Sequence, residues 1–250
     1  MHTFELYDPG NRWRHRHPAE KAVLAGGMLA LAVALPPGPV SLWILLSMTA
    51  AAVAGARVAW QRYLAGMFVP VGFLLVGSLS LLVSVDLPQG HTWPTLTLVY
   101  SDSWRVLLRG LAATSCLIFF ATTTSVPDLL SLLRRVRCPE FAVELMMLSY
   151  RFALGLAQTA RGIRLAQRLR LGYGTRATGF RSLALLAGSL LPRSLDRAVR
   201  LTRGLEARGY EGHLNVLSPA RVLSWSVMGA VLGLQCATVA FWFITAGGGA

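Results

Sequence analysis

Residues 22–56 read AVLAGGMLALAVALPPGPVSLWILLSMTAAAVAGA, a run without a single charged side chain. A helix that crosses a bilayer needs about 20 mostly apolar residues to span about 30 Å of hydrocarbon. The run is too short for two full spans at about 1.5 Å rise per residue, and Pro36-Pro37-Gly38-Pro39 cuts it near its middle. It therefore predicts two short membrane helices joined by a proline turn. Three further uncharged windows lie outward from it: residues 63–85 with Pro70 as a kink, residues 110–127 entered from Trp104, and residues 222–250 with a helix from about Val222 to Thr245. The expected fold class is all-α, a polytopic membrane protein with about five transmembrane helices and no ionisable group inside the uncharged windows. Gly229-x-x-x-Gly233 in the last window matches a small-residue helix-packing motif.

Composition supports the same class. The 250 residues are 54% hydrophobic and 14% charged, where soluble domains carry about 25% charge. That apolar content excludes a disordered chain and argues against a soluble nucleic-acid binder. Cys116, Cys138 and Cys236 are too far apart for a metal or redox pair.

The charges set orientation and mark out a second region. Arg12, Arg14, Arg16 and Lys21 place the N-terminus in the cytoplasm, and Arg57 with Arg62 mark the next inside loop. Residues 86–103 hold Asp86 and Asp102 without a basic residue in their loop, so they face out; Arg134, Arg135 and Arg137 bring the chain back inside. Glu5 and Asp8 argue against a cleavable leader. From Arg151 to Arg221 there are thirteen arginines against Asp196, Glu206 and Glu211, most of the net charge of +13. Helical periodicity predicts three amphipathic helices around this segment: Pro127 to Arg137, Pro139 to Leu171, and about Pro192 to Arg208. The expected organisation is an N-terminal membrane region over 1–126, cytoplasmic coupling helices over 127–220, and a C-terminal membrane helix over 221–250.

Such a basic block suits anionic lipid, nucleic acid or an acidic groove on another protein. Lipid attracts any cation by about 1 kcal/mol per charge, yet this chain has twenty-three arginines and one lysine, Lys21. Arginine's planar fork pairs bidentately with carboxylates, which favours a protein groove with membrane lipid as a second contact. No nucleic-acid reader motif is present. Two segments stand out: Glu206-Ala207-Arg208-Gly209-Tyr210 and Arg168-Leu169-Arg170-Leu171-Gly172-Tyr173. Each sets an arginine one or two residues before Gly-Tyr at the end of a basic amphipathic helix, 38 residues apart. A single arginine there would merely complement the helix dipole; the repetition points to two equivalent plugs.

Chemistry of its own is not indicated. There is no G-x-x-x-x-G-K-[ST] run, so no P-loop cradles a nucleotide here. His15 and His17 alternate with arginines, Met1-His2 and His91 stand apart, and no metal site or cofactor is assigned. No catalytic residue is assigned either, since Ser78, Ser80 and Ser84 have no base at their depth. The chain is expected not to be an enzyme.

The run Asn11-Arg12-Trp13-Arg14-His15-Arg16-His17-Pro18-Ala19-Glu20-Lys21, with Pro127-Asp128-Leu129-Leu130, Val143-Glu144-Leu145, Tyr150-Arg151-Phe152 and the two arginine segments, resembles the transmembrane T component of energy-coupling-factor (ECF) transporters, most closely the cobalt-type, CbiQ-like branch. The resemblance spans about Asp8 to Gly212 and is strongest over 127–212. It implies a non-catalytic coupling subunit in the plasma membrane, joining two cytoplasmic ATPase subunits to a substrate-binding membrane subunit that holds the metal. It also implies that two signature arginines dock in grooves of the ATPases: Arg208, flanked by Ala207 and Gly209, and Arg170, flanked by Leu169 and Leu171. Arg161, in Ala160-Arg161-Gly162, matches the family's three letters better but comes early in its helix, and stands as the secondary candidate. A nickel-type equivalent and a self-sufficient membrane carrier are the alternatives.

Overall fold

The computed structural model describes residues 11–86, 95–98, 100–209 and 223–247. It is helical throughout apart from one short ribbon, with α1 Pro18–Ala34, α2 Pro39–Ala50, α3 Trp60–Leu82, β1 Val83–Asp86, β2 Thr95–Leu98, α4 Tyr100–Thr123, α5 Val126–Arg135, α6 Glu140–Leu169, α7 Arg176–Glu206 and α8 Trp225–Gly247. The chain divides into two compact units, Met1–Leu129 with Ala220–Ala250, and Leu130–Pro219.

In the first unit the proline turn forms as expected. Pro18 and Pro39 each stand in the first turn of a helix, where a missing N–H costs nothing. Gly38 adopts φ 155°, a conformation closed to other residues. A π-turn over Ala51–Gly55 extends α2. Three helices are long and apolar enough to cross a membrane, over Trp60–Ser80, Ser103–Thr123 and Trp225–Thr245, and Pro39–Gly55 is a shorter apolar helix. With the 17-residue α1, that makes five apolar helices among the described residues.

The core of this unit follows from i, i+4 spacing, which puts residues on one helix face. Leu24, Met28 and Ala32 of α1, Val40, Ile44 and Met48 of α2, and Ala112, Cys116 and Phe119 of α4 are all buried in one cluster. In contrast, α3 turns Phe68, Val69 and Phe73 outward, as a lipid-facing helix does. Close helix approach occurs at unexpected glycines. A Cβ on Gly27 would strike the Gln235 side chain of α8, and one on Gly110 would strike Leu74 of α3, whereas Gly229 and Gly233 have nothing within 4 Å. Among the described residues the Gly-x-x-x-Gly pair therefore packs against nothing.

The membrane helices reach beyond the uncharged windows and take in charge there. The span Ser103–Thr123 contains Arg105 and Arg109. Arg109 Nε donates to the Ala32 carbonyl at 3.1 Å, one of the last carbonyls of α1, which lack intrahelical donors. Lys21, near the start of α1, donates from Nζ to the Thr123 carbonyl at 2.8 Å, at the end of α4. The two helices thus cap each other's C-termini with cations, the favourable sign for a helix dipole. Counting Lys21 as a loop charge overlooked that it lies inside α1 and is fully buried.

In the second unit α6 and α7 pack against each other, and the Arg197 guanidinium of α7 lies against Gly155 of α6, where a Cβ would run into it. The observed α7 starts sixteen residues before Pro192 (192 − 176) and keeps that proline in its interior. Proline at a helix start is only one of its tolerated uses; here the stronger start signal is Thr175, which caps α7 through a reciprocal bond with Thr178. The short ribbon pairs Val83 with Leu98 and Asp86 with Thr95. Met1, His2, His91, His213, Tyr210 and Arg221, as well as the expected boundary at 220, lie outside the described residues.

Candidate functional site

The end of α6 is a tightly specified elbow. The N–H of Gly172 bonds to the Gln167 carbonyl at 2.9 Å and that of Leu171 to the Arg168 carbonyl at 3.0 Å, the paired bonds of a Schellman helix end. That motif needs a left-handed residue, and here it is Leu171, at φ 57°. Leucine pays a steric cost in this conformation that glycine does not. The glycine stands one position later, where space requires it: a Cβ on Gly172 would lie 2.7 Å from Ser182 Oγ and 3.0 Å from the Gln167 carbonyl oxygen.

Side chains lock the same turn. Ser182 of α7 donates from Oγ to the Gly172 carbonyl at 2.7 Å, and Gln167 donates from Nε2 to the Ser182 carbonyl at 2.9 Å. The Tyr173 hydroxyl donates to Gln167 Oε1 at 2.9 Å, with the Arg164 guanidinium 5.9 Å from the Tyr173 ring centroid. Arg170, the residue just before the left-handed turn, is exposed. Its neighbours Leu169 and Leu171 are 79% and 81% exposed, so among the described residues the cation is flanked by two exposed leucines.

The end of α7 repeats one part of this pattern, the i→i−3 bond into a left-handed residue. The Arg208 N–H bonds to the Leu205 carbonyl and the Gly209 N–H to that of Glu206, both at 3.0 Å. Gly209 has φ 74° with open space around it, so glycine is needed there for conformation and not for room. Ala207, Arg208 and Gly209 are exposed. Arg170 and Arg208 therefore each sit directly before a left-handed residue at the end of a long basic helix. Arg161 does not: it lies within α6, and Gly162 after it is helical. Arg161 instead joins Arg164, Leu165 and Arg168 around a shallow concavity of about 250 Å³.

The sequence placed Gln167 and Tyr173 in the segment around Arg170 without a role for either, and it gave no sign of Ser182. The Gly172-Tyr173 break was visible, but Ser182 lies past the turn on the next helix, and nothing near it signals a role. Among the described residues no three His, Cys, Asp or Glu side chains converge as a metal site. His17 has another use, accepting the Ala19 N–H at Nδ1 (3.1 Å) as the cap of α1.

Residues 10–218 match the family model described as CbiQ, cobalt transport protein. The chain is 41% identical over 235 residues to "Cobalt transport protein CbiQ" of Rhodobacter capsulatus, covering 92% of this chain and 93% of that one. It is 33% identical over 221 residues to the protein of the same name from Salmonella typhimurium, covering 82% and 96%. A third relative, "Putative fused cobalt transport protein CbiMQ" of Methanocorpusculum labreanum, is 32% identical over 141 residues, 53% of this chain and 23% of that one.

Proposed function

The chain belongs to the CbiQ family of cobalt transport proteins, and we propose that it is the non-catalytic membrane coupling subunit of an ATP-driven cobalt uptake system. In this role it sits in the plasma membrane with its N-terminus in the cytoplasm, holds two ATPase subunits through its arginine-rich unit, and passes their motion to a substrate-binding membrane subunit. The observation that carries the proposal is that Arg170 and Arg208 are both exposed just past a helix end, each directly before a left-handed residue, Leu171 or Gly209. Arg170 is favoured over Arg161 on this ground, because Arg161 lies inside α6 and is followed by a helical glycine.

The mechanism is mechanical. Nucleotide binding draws two ATPases together and moves the two docked helix ends, and α6 and α7, at 30 and 31 residues, carry that displacement over about 45 Å each at 1.5 Å per residue. A guanidinium buried in an acidic groove suits a joint under load, because removing one partner of a buried charge pair costs about 3–5 kcal/mol. The long CbiMQ relative, named as a fusion, supports lasting association with another cobalt transport component. The test is co-purification of the tagged chain with ATPase subunits at moderate salt. Retention by the natural chain and loss by Arg170→Ala/Arg208→Ala support the assignment; equal retention by both defeats it.

A further inference from the structure

The arginine-rich unit, Leu130–Pro219, is inserted into the membrane unit, so every force that travels along the backbone between them passes two points: where the chain leaves after α4 and where it returns before α8. Adjacent residues of α1 hold both points. Lys21 donates to the carbonyl of Thr123, the last residue of α4, at 2.8 Å. Glu20 accepts the N–H of Ser224, the residue before α8, on Oε1 at 2.7 Å. Glu20 is 1% and Lys21 0% exposed, so the Lys21–Thr123 bond is shielded from water and the Glu20–Ser224 bond is shielded on its carboxylate side.

The charges match what they hold. A helix C-terminus carries partial negative charge and an N-terminus partial positive charge. The ammonium meets the end of α4 and the carboxylate meets the start of α8. Among the described residues Glu20 Oε2 is buried without a partner, and leaving such an oxygen unsatisfied is costly. A purely structural position would be filled more cheaply by a leucine. The first turn of α1 is itself braced, since His17 caps it and Pro18 occupies its first position. Next to it, Asn11 Nδ2 reaches the Thr122 carbonyl at 3.5 Å, and the Arg12 N–H bonds to the Ala56 carbonyl at 3.1 Å.

We infer that Glu20 and Lys21 form a clamp that ties the outgoing and returning connections of the arginine-rich unit to α1, so that displacement of either connection moves the membrane helices. They are positioning residues for coupling, and the inference rests on the coupling function proposed above. Its consequence is specific: with the clamp open, the ATPases still bind and still hydrolyse ATP, but their motion no longer reaches the membrane unit.

The experiment uses the full complex reconstituted in vesicles with cobalt as the probe, reading ATPase retention, ATP hydrolysis and cobalt moved per ATP. Glu20→Met and Lys21→Met keep side-chain bulk and remove the polar ends. Each is expected to retain ATPase subunits and hydrolysis within about twofold while cobalt moved per ATP falls about tenfold, within the usual range of coupling energies. Glu20→Gln keeps an acceptor oxygen and is expected to restore at least half of the natural ratio. A natural ratio in both Met variants, or a Gln variant as uncoupled as Met, overturns the clamp. Should the Met variants fail to accumulate, Ser224→Pro removes the same bond from the donor side at a position proline tolerates before a helix, and a natural ratio there overturns the clamp equally. Failure of the coupling function looks different: the natural complex would retain no ATPase, or Arg170→Ala/Arg208→Ala would leave uptake intact.

Discussion

Arg170, the C-cap of α6, and Arg208, one residue past the C-cap of α7, are each followed at once by a residue in the left-handed region, Leu171 at φ 57° and Gly209 at φ 74°. The match is in conformation rather than in letters, because Leu169-Arg170-Leu171 and Ala207-Arg208-Gly209 share only the arginine. Helix α5 also ends on a left-handed residue, but there it is Arg137 itself, preceded by the exposed Val136. The left-handed turn is thus a common way of ending helices in this unit, and the arginine immediately ahead of it separates the two candidates from the rest.

Leu171 holds its conformation against its own side chain. Leu171→Gly is expected to stabilise the chain by about 1 kcal/mol, since a left-handed residue loses its steric penalty, and thermal unfolding in detergent reads it. The reverse holds at the other helix end: Gly209→Ala is expected to destabilise by a similar amount, with no clash involved because the space around Gly209 is open.

The elbow behind Arg170 depends on Ser182 and Gly172 together. Ser182→Ala removes the donor to the Gly172 carbonyl and is expected to cost about 1–3 kcal/mol, the range for a buried acceptor left unpaired. Gly172→Ala brings a methyl group against Ser182 Oγ and the Gln167 carbonyl and is expected to cost more. Once Ser182 is alanine, the added methyl meets one obstacle fewer. The double variant should therefore lose less than the sum of the singles, by at least about 0.5 kcal/mol in a double-mutant cycle.

Arg109 and the end of α1 give a prediction for the membrane unit. Arg109→Met keeps an unbranched apolar stem and removes the donor to the Ala32 carbonyl. Its expected cost is about 1.5–3 kcal/mol, as for hydrogen bonds to charged groups, read as a lower unfolding temperature with ATPase retention unchanged. A loss of retention at unchanged stability would show that Arg109 has a different role.

Much of this was legible in the sequence, and the gaps have physical causes. Charge-free windows and Pro36-Pro37-Gly38-Pro39 located the apolar helices, because desolvation of charge is the strongest local constraint a bilayer imposes. The end of α6 was visible in Gly172-Tyr173. What stayed hidden depends on neighbours distant in sequence. Lys21 looked like a loop charge because its partner, the Thr123 carbonyl, lies 102 positions away. Arg109 fell just outside an uncharged window, although α4 begins at Tyr100. Pro192 suggested a helix start, while Thr175 and Thr178 set the true one. Leu171 carries no sign of a left-handed turn, since only the paired Schellman bonds of the elbow hold it there.

The most direct measurement is the affinity of the ATPase subunits for this chain in membranes, compared with that for Arg170→Ala/Arg208→Ala. Removing one partner from each of two buried charge pairs costs about 3–5 kcal/mol per joint, so the double variant should bind at least about 100-fold more weakly, with cobalt uptake lost and the chain's membrane level unchanged. Natural affinity and natural uptake in the double variant would contradict the account.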